Sequence, residues 1–129
     1  MMKNLATVFG VVMLAIGLLG FVPGVTTDGM LLGVFYVNPL HNIIHLATGA
    51  VALWAGLTSA HTSRLVFQVF GAVYGVIAIL GFLTDGDHLF NLIAINAAGN
   101  WLHAVIAAAS LAIGFGVKDE EAPTTALRT

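Results

Sequence analysis

The chain of 129 residues contains no cysteine. That excludes disulfides, thiolate metal ligands and dithiol redox chemistry, and it leaves the redox compartment open. Charge is nearly as scarce: 8% of residues are charged and 59% are hydrophobic, with a mean hydropathy of +1.00. A soluble domain carries roughly 25% charged residues, so this is the composition of a membrane protein. The net charge of −2 is too small to point to nucleic acid or to an acidic substrate. The length allows one compact bundle and no second domain.

What is present is four apolar runs, at 5–22, 39–58, 65–83 and 97–116, and none of them contains Asp, Glu, Lys or Arg. Each is close to the roughly 20 helical residues that cross a bilayer core. Lipid offers no partner to an unpaired backbone group, so each run is expected to be a helix. The predicted fold is all-α: a four-transmembrane-helix bundle over 1–117 and a flexible, solvated tail over 118–129. The first run is not read as a signal peptide, because Val22-Pro23-Gly24-Val25 offers no small-x-small cleavage site.

That run also has a copy. Phe9-Gly10-x-Val12 matches Phe70-Gly71-x-Val73, and Leu19-Gly20-Phe21 matches Leu80-Gly81-Phe82, both at an offset of 61. Thr27-Asp28-Gly29 resembles Thr84-Asp85-Gly86. Asn38, Asn42 and His45 match Asn96, Asn100 and His103 at an offset of 58. Two helices per half imply two parallel repeats related by an axis along the membrane normal. His45 and His103 then share one depth. The connections of sixteen and thirteen residues at one end, 23–38 and 84–96, contain apolar patches and are expected to fold over the membrane interface as short segments.

The four cations, Lys3, Arg64, Lys118 and Arg128, all fall at the termini or in the helix 2–3 connection. The opposite connections carry Asp28, Asp85 and Asp87. The positive-inside rule predicts a multi-pass protein of the bacterial inner membrane with both termini cytoplasmic. Small residues recur at packing spacing: Gly49, Ala52 and Gly56; Gly71 and Gly75; Ala107, Ser110 and Gly114. These let helices approach closely in lipid, and Gly71 with Gly75 could instead serve self-association.

The polar motifs sit at the starts of helices two and four. Asn38 and Asn96 are predicted N-caps, with Pro39 at the first helical position, where a missing N–H costs nothing. The set Val37-Asn38-x-Leu40-His41-Asn42-x-x-His45 with Gly49, and later Asn100-Trp101-Leu102-His103, resembles a bacterial four-helix membrane family described as domain of unknown function 4383. The resemblance spans about residues 5 to 116. It implies a four-helix integral membrane protein and no particular activity. The family pattern has an Asp before the second Asn-Trp-Leu-His motif, where this chain has Gly99.

Three readings of the motifs are weighed. In the first, Asn38, Asn42, His45, Asn96, Asn100 and His103 form a structural polar network that satisfies backbone groups of the folded-over segments. The protein is then a small structural or accessory component of a membrane or membrane complex, without catalytic activity. Its expected partners are lipid and other membrane subunits or a second copy of itself, and it needs no cofactor. In the alternative, His41 and His45, at i and i+4, face one divalent ion such as zinc, His103 is a third ligand, and Asp85, Asp87 or His88 completes the shell. In the third, His45 and His103 ligate a haem or pigment; the lack of Lys or Arg at that end argues against haem. Hydrolysis is not expected, because Ser59, Ser63 and Ser110 lie near no plausible His–carboxylate pair.

Overall fold

The structure is a computed structural model that describes residues 1–118. Expectations for the tail from Asp119 onward lie outside the described residues. Four helices dominate: α1 (Met2–Leu19), α2 (Pro39–Thr58), α3 (Ala60–Leu83) and α4 (Ala97–Gly116). All four are long and apolar enough to cross a membrane. At 1.5 Å per residue they span about 27–36 Å, which brackets a bilayer core of about 30 Å.

Helices α2 and α4 start and stop where the apolar runs do, because their caps are local. Asn38 Oδ1 accepts from His41 N and Asn96 Oδ1 from Gly99 N. The other two helices differ from expectation. α1 begins earlier and ends at Leu19; Phe21 and Val22 then donate to the carbonyls of Leu18 and Leu19 in tight turns. Thr26 Oγ1 adds a second donor to Leu19 O, at 2.9 Å. α3 starts at Ala60 rather than at 65. Polar composition suggested a loop over 59–63, but Ser59 alone separates α2 from α3. It is extended (φ −162°, ψ 160°) and its hydroxyl caps Thr62 N. Ser63 Oγ reaches back to the carbonyls of Ala55 and Ser59, at 3.0 and 2.8 Å.

At the opposite end the connections are extended. The first forms β1 (Thr26–Thr27), β2 (Met30–Leu31) and β3 (Phe35–Tyr36); the second forms β4 (His88–Leu89) and β5 (Ile93–Ala94). All pairs are antiparallel, with Thr27 opposite Met30, Met30 opposite Tyr36 and His88 opposite Ala94. Asp28 and Gly29 both have positive φ between paired Thr27 and Met30, the signature of a type I′ hairpin turn. The similar tripeptide at 84–86 makes no such turn. The position matching Gly29 is Asp87: Val37 N donates to Gly29 O, and Ile95 N to Asp87 O. Leu32 and Phe90 both adopt positive φ at hairpin tips and are 67% and 68% exposed.

Glycine sets the closeness of α1 and α2. A Cβ on Gly10 would lie 2.5 Å from Leu53 N, and one on Gly49 would lie 2.6 Å from Leu14 N. Gly71 faces Leu111 of α4 in the same way, so it packs within the chain and is not a free self-association surface. Phe67, Met2 and Met13 fill the buried interior. The outer faces are apolar: Leu83 and Phe115 are 75% and 71% exposed. Water would disfavour that surface and lipid would not. At the end away from the hairpins, Arg64 donates to the carbonyls of Gly114 and Val117, and Gln68 also donates to Gly114 O. These donors satisfy carbonyls that the end of α4 leaves open.

Candidate metal centre

The hairpin end holds three buried imidazoles. His41 and His45 project from the first two turns of α2, one helical turn apart, and His103 comes from α4. They are 4%, 3% and 3% exposed. Their ring centroids are 4.5 Å apart for His41–His45, 5.3 Å for His41–His103 and 5.8 Å for His45–His103. One ring nitrogen from each lies within 4.8 Å of the others.

Hydrogen bonding assigns the roles. His41 Nδ1 lies 2.7 Å from Ala94 O in β5. A carbonyl only accepts, so Nδ1 carries the hydrogen and Nε2 presents a lone pair. That lone pair points to His103 Nε2 at 3.3 Å. His103 Nε2–H therefore donates to His41 Nε2; two nitrogens bound to one ion at about 2.0–2.1 Å in tetrahedral geometry are about 3.3–3.4 Å apart, so an ion in place of that hydrogen fits the same edge. The Ala94 carbonyl holding the far nitrogen is the outer partner that metal-bound histidines normally have. His45 has no partner for either ring nitrogen, and His103 has none for Nδ1. A buried polar atom left unmatched costs about 1–3 kcal/mol.

The three rings, with Ile44, Tyr74, Ile77 and Ile93, line a small, partly open pocket of about 20 Å³. One water needs about 10–15 Å³ measured in this way, so the space takes a single water-sized species. A space of this size does not hold a macrocycle such as the haem or pigment of the third reading. Tyr74 of α3 forms one wall, with its ring centroid 5.5 Å from His103. Its hydroxyl lies 2.9 Å from Thr48 Oγ1, whose own hydrogen goes to Ile44 O, so Tyr74 donates.

The other candidates separate into two groups. Asp85, Asp87 and His88 do not join the triad. Asp87 and His88 pair with each other at the surface at 2.8 Å, and the bond from His88 holds the Asp87 carboxyl below its ordinary range. The His88 ring meets the edge of Tyr36 instead. The expected carboxylate in the shell is therefore not supplied by these residues.

The asparagines have structural partners. Asn38 Nδ2 donates to Leu92 O, and Asn96 Nδ2 to Val34 O, both at 2.9 Å. Each helix cap thus ties down the hairpin of the other half. Asn42 Oδ1 and Asn100 Oδ1 accept no ordinary hydrogen bond. Each instead sits beside a glycine: a Cβ on Gly20 would lie 2.0 Å from Asn42 Oδ1, and one on Gly81 would lie 2.2 Å from Asn100 Oδ1. The oxygens therefore lie along the glycine Cα–H bonds, in the geometry of weak Cα–H···O contacts. Ser110 Oγ is buried without a partner, and nothing in the structure explains it.

Sequence reasoning did not single out Tyr74, Thr48 or the Ala94 carbonyl. Tyr74 carried a signal, as a hydroxyl-bearing aromatic in the middle of an apolar run. Ala94 carried none, since its contribution is a backbone carbonyl.

No curated protein and no solved structure matches the chain. The family model for a domain of unknown function (DUF4383) matches residues 3–116. That match covers all four helices, both hairpins and the histidine cluster between them, and the chain belongs to the DUF4383 family.

Proposed function

We propose that this is an integral membrane protein, without catalytic activity of its own, that holds one transition-metal ion between His41, His45 and His103. The observation that carries this reading is the convergence of the three buried imidazoles within 4.8 Å, with both nitrogens of His45 unpartnered. A purely structural network would match its buried atoms to one another. Here Asn42 and Asn100 each leave one oxygen, set against a bare glycine Cα, whereas His45 leaves both ring nitrogens. Imidazole nitrogen is a ligand for zinc, copper, iron and nickel, so the class is a first-row transition ion.

The surrounding parts then have a supporting role. The two halves are read as parallel repeats, with matching caps at Asn38 and Asn96 and matching locks at Gly20–Asn42 and Gly81–Asn100. They bring α2 and α4 to a common depth, and the metal centre uses His41, which has no counterpart in the second half. The protein is read as an accessory component of a bacterial inner membrane or membrane complex, with its termini cytoplasmic and the centre near the outer face.

The test is metal loading of the detergent-purified chain. A ligand that binds only the folded state raises Tm by mass action. One ion from a panel of zinc, copper, nickel and iron is expected to raise Tm saturably, and His45→Ala should abolish the rise. No shift with any ion in the panel would remove the metal reading and leave the structural network.

A further inference from the structure

We infer that the three-histidine centre takes a monovalent ion, copper(I), in preference to a divalent one; this rests on the metal reading above. The first observation is charge. The ligands His41, His45 and His103 are neutral when they bind, and the nearby acidic side chains do not enter the shell: Asp87 is paired with His88 at the surface. The cavity wall adds only Ile44, Tyr74, Ile77 and Ile93, with the Tyr74 hydroxyl committed to Thr48. An ion entering this place brings its whole charge into an apolar setting. The Born penalty grows with the square of the charge, so a divalent ion pays roughly four times as much as a monovalent one. His41 also sits in the first turn of α2, the positive end of the helix dipole, which opposes a cation in proportion to its charge.

The second observation is coordination number. Zinc in proteins is almost always four-coordinate, using a water when the chain supplies three ligands. The cavity of about 20 Å³ takes one water-sized species. Its lining offers no side-chain anion to offset a second charge. A three-nitrogen shell without a fourth ligand suits a closed-shell monovalent ion, which has no demand for square-planar or octahedral geometry. The 3.3 Å separation of His41 Nε2 and His103 Nε2 sets one edge of that shell, and rotation of the unpartnered His45 ring closes it.

The experiment titrates the purified full chain, in detergent and without oxygen, with copper(I) under excess ascorbate and separately with Zn²⁺, following Tm. The expected result is a rise that saturates at one copper per chain, with an apparent affinity about tenfold or more above that for zinc. X-ray absorption on the copper-loaded native protein should show a nearest shell of three nitrogens and no sulfur, which needs no variant to fold. His45→Ala should lose the thermal rise and one nitrogen of the shell. If Zn²⁺ stabilises as well as copper(I) or better, the inference falls and the metal centre stands. If neither ion shifts Tm and no three-nitrogen shell forms, the copper(I) inference falls, and the metal reading falls with it only when nickel and iron also leave Tm unchanged.

Discussion

Asn42 and His45 share a helix and a depth, and both carry buried atoms without ordinary hydrogen bonds. Their surroundings differ. Asn42 Oδ1 is filled in by the bare Cα of Gly20, and Asn100 Oδ1 by that of Gly81. These positions are glycine because the asparagine oxygen occupies the place of a side chain. Gly20→Ala would set a Cβ 2.0 Å from that oxygen, and overpacking of this kind costs about 1–3 kcal/mol. Asn42→Ala removes only a weak contact, and polar contacts between membrane helices average about 0.6 kcal/mol. The double variant Gly20→Ala with Asn42→Ala should therefore be more stable than Gly20→Ala alone, measured by unfolding in mixed micelles. Strictly additive losses would show that the two residues do not touch. No such glycine stands against His45, and both of its ring nitrogens are without a partner.

At the level of elements, the hairpins and helices exchange supports across the two halves. The cap of α2 holds the carbonyl of Leu92, beside β5, and the cap of α4 holds that of Val34, beside β3. Each asparagine uses its oxygen for its own helix and its nitrogen for the other half's hairpin. Asn38→Ala and Asn96→Ala should each lose a cap worth about 1 kcal/mol and a tie worth about 0.5–1.5 kcal/mol. The two losses should be similar. Hydrogen exchange gives the more specific signature: Asn96→Ala is expected to speed exchange in the first hairpin, around 30–36, which is distant in sequence. Exchange that changes only around α4 and its own hairpin would show that the cross-tie carries no stability. Such ties keep Ala94 at the mouth of the cluster, where its carbonyl orients His41.

For the whole molecule, the bundle separates charge by end. Lys3, Arg64 and Lys118 lie at one end, with the Arg64 guanidinium on carbonyls at the close of α4; Asp28, Asp85 and Asp87 lie at the hairpin end. Positive-inside topology then predicts that Thr27→Cys is labelled by an impermeant maleimide in intact cells and that His61→Cys is labelled only after permeabilisation. Both positions are exposed, whereas Ser63 is fully buried and would not report. The reverse labelling pattern would invert the orientation and put the histidine cluster near the cytoplasm.

The sequence by itself determined the four spans, because apolar length is a one-dimensional property and lipid permits only helices there. It also determined where α2 and α4 begin, because an asparagine cap acts on the amide three residues on. The His41–His45 pair was legible for the same reason, being set by helical periodicity alone. The start of α3 was not, since Ser63 turns a polar stretch helical by reaching a carbonyl eight residues back. Only the tertiary structure decided that the connections are paired strands, that none of Asp85, Asp87 and His88 joins His41, His45 and His103, and that Ala94 orients the ring. Each of those outcomes depends on which backbone groups meet: across a few residues within a hairpin, and across more than fifty within the cluster. No local pattern encodes that meeting.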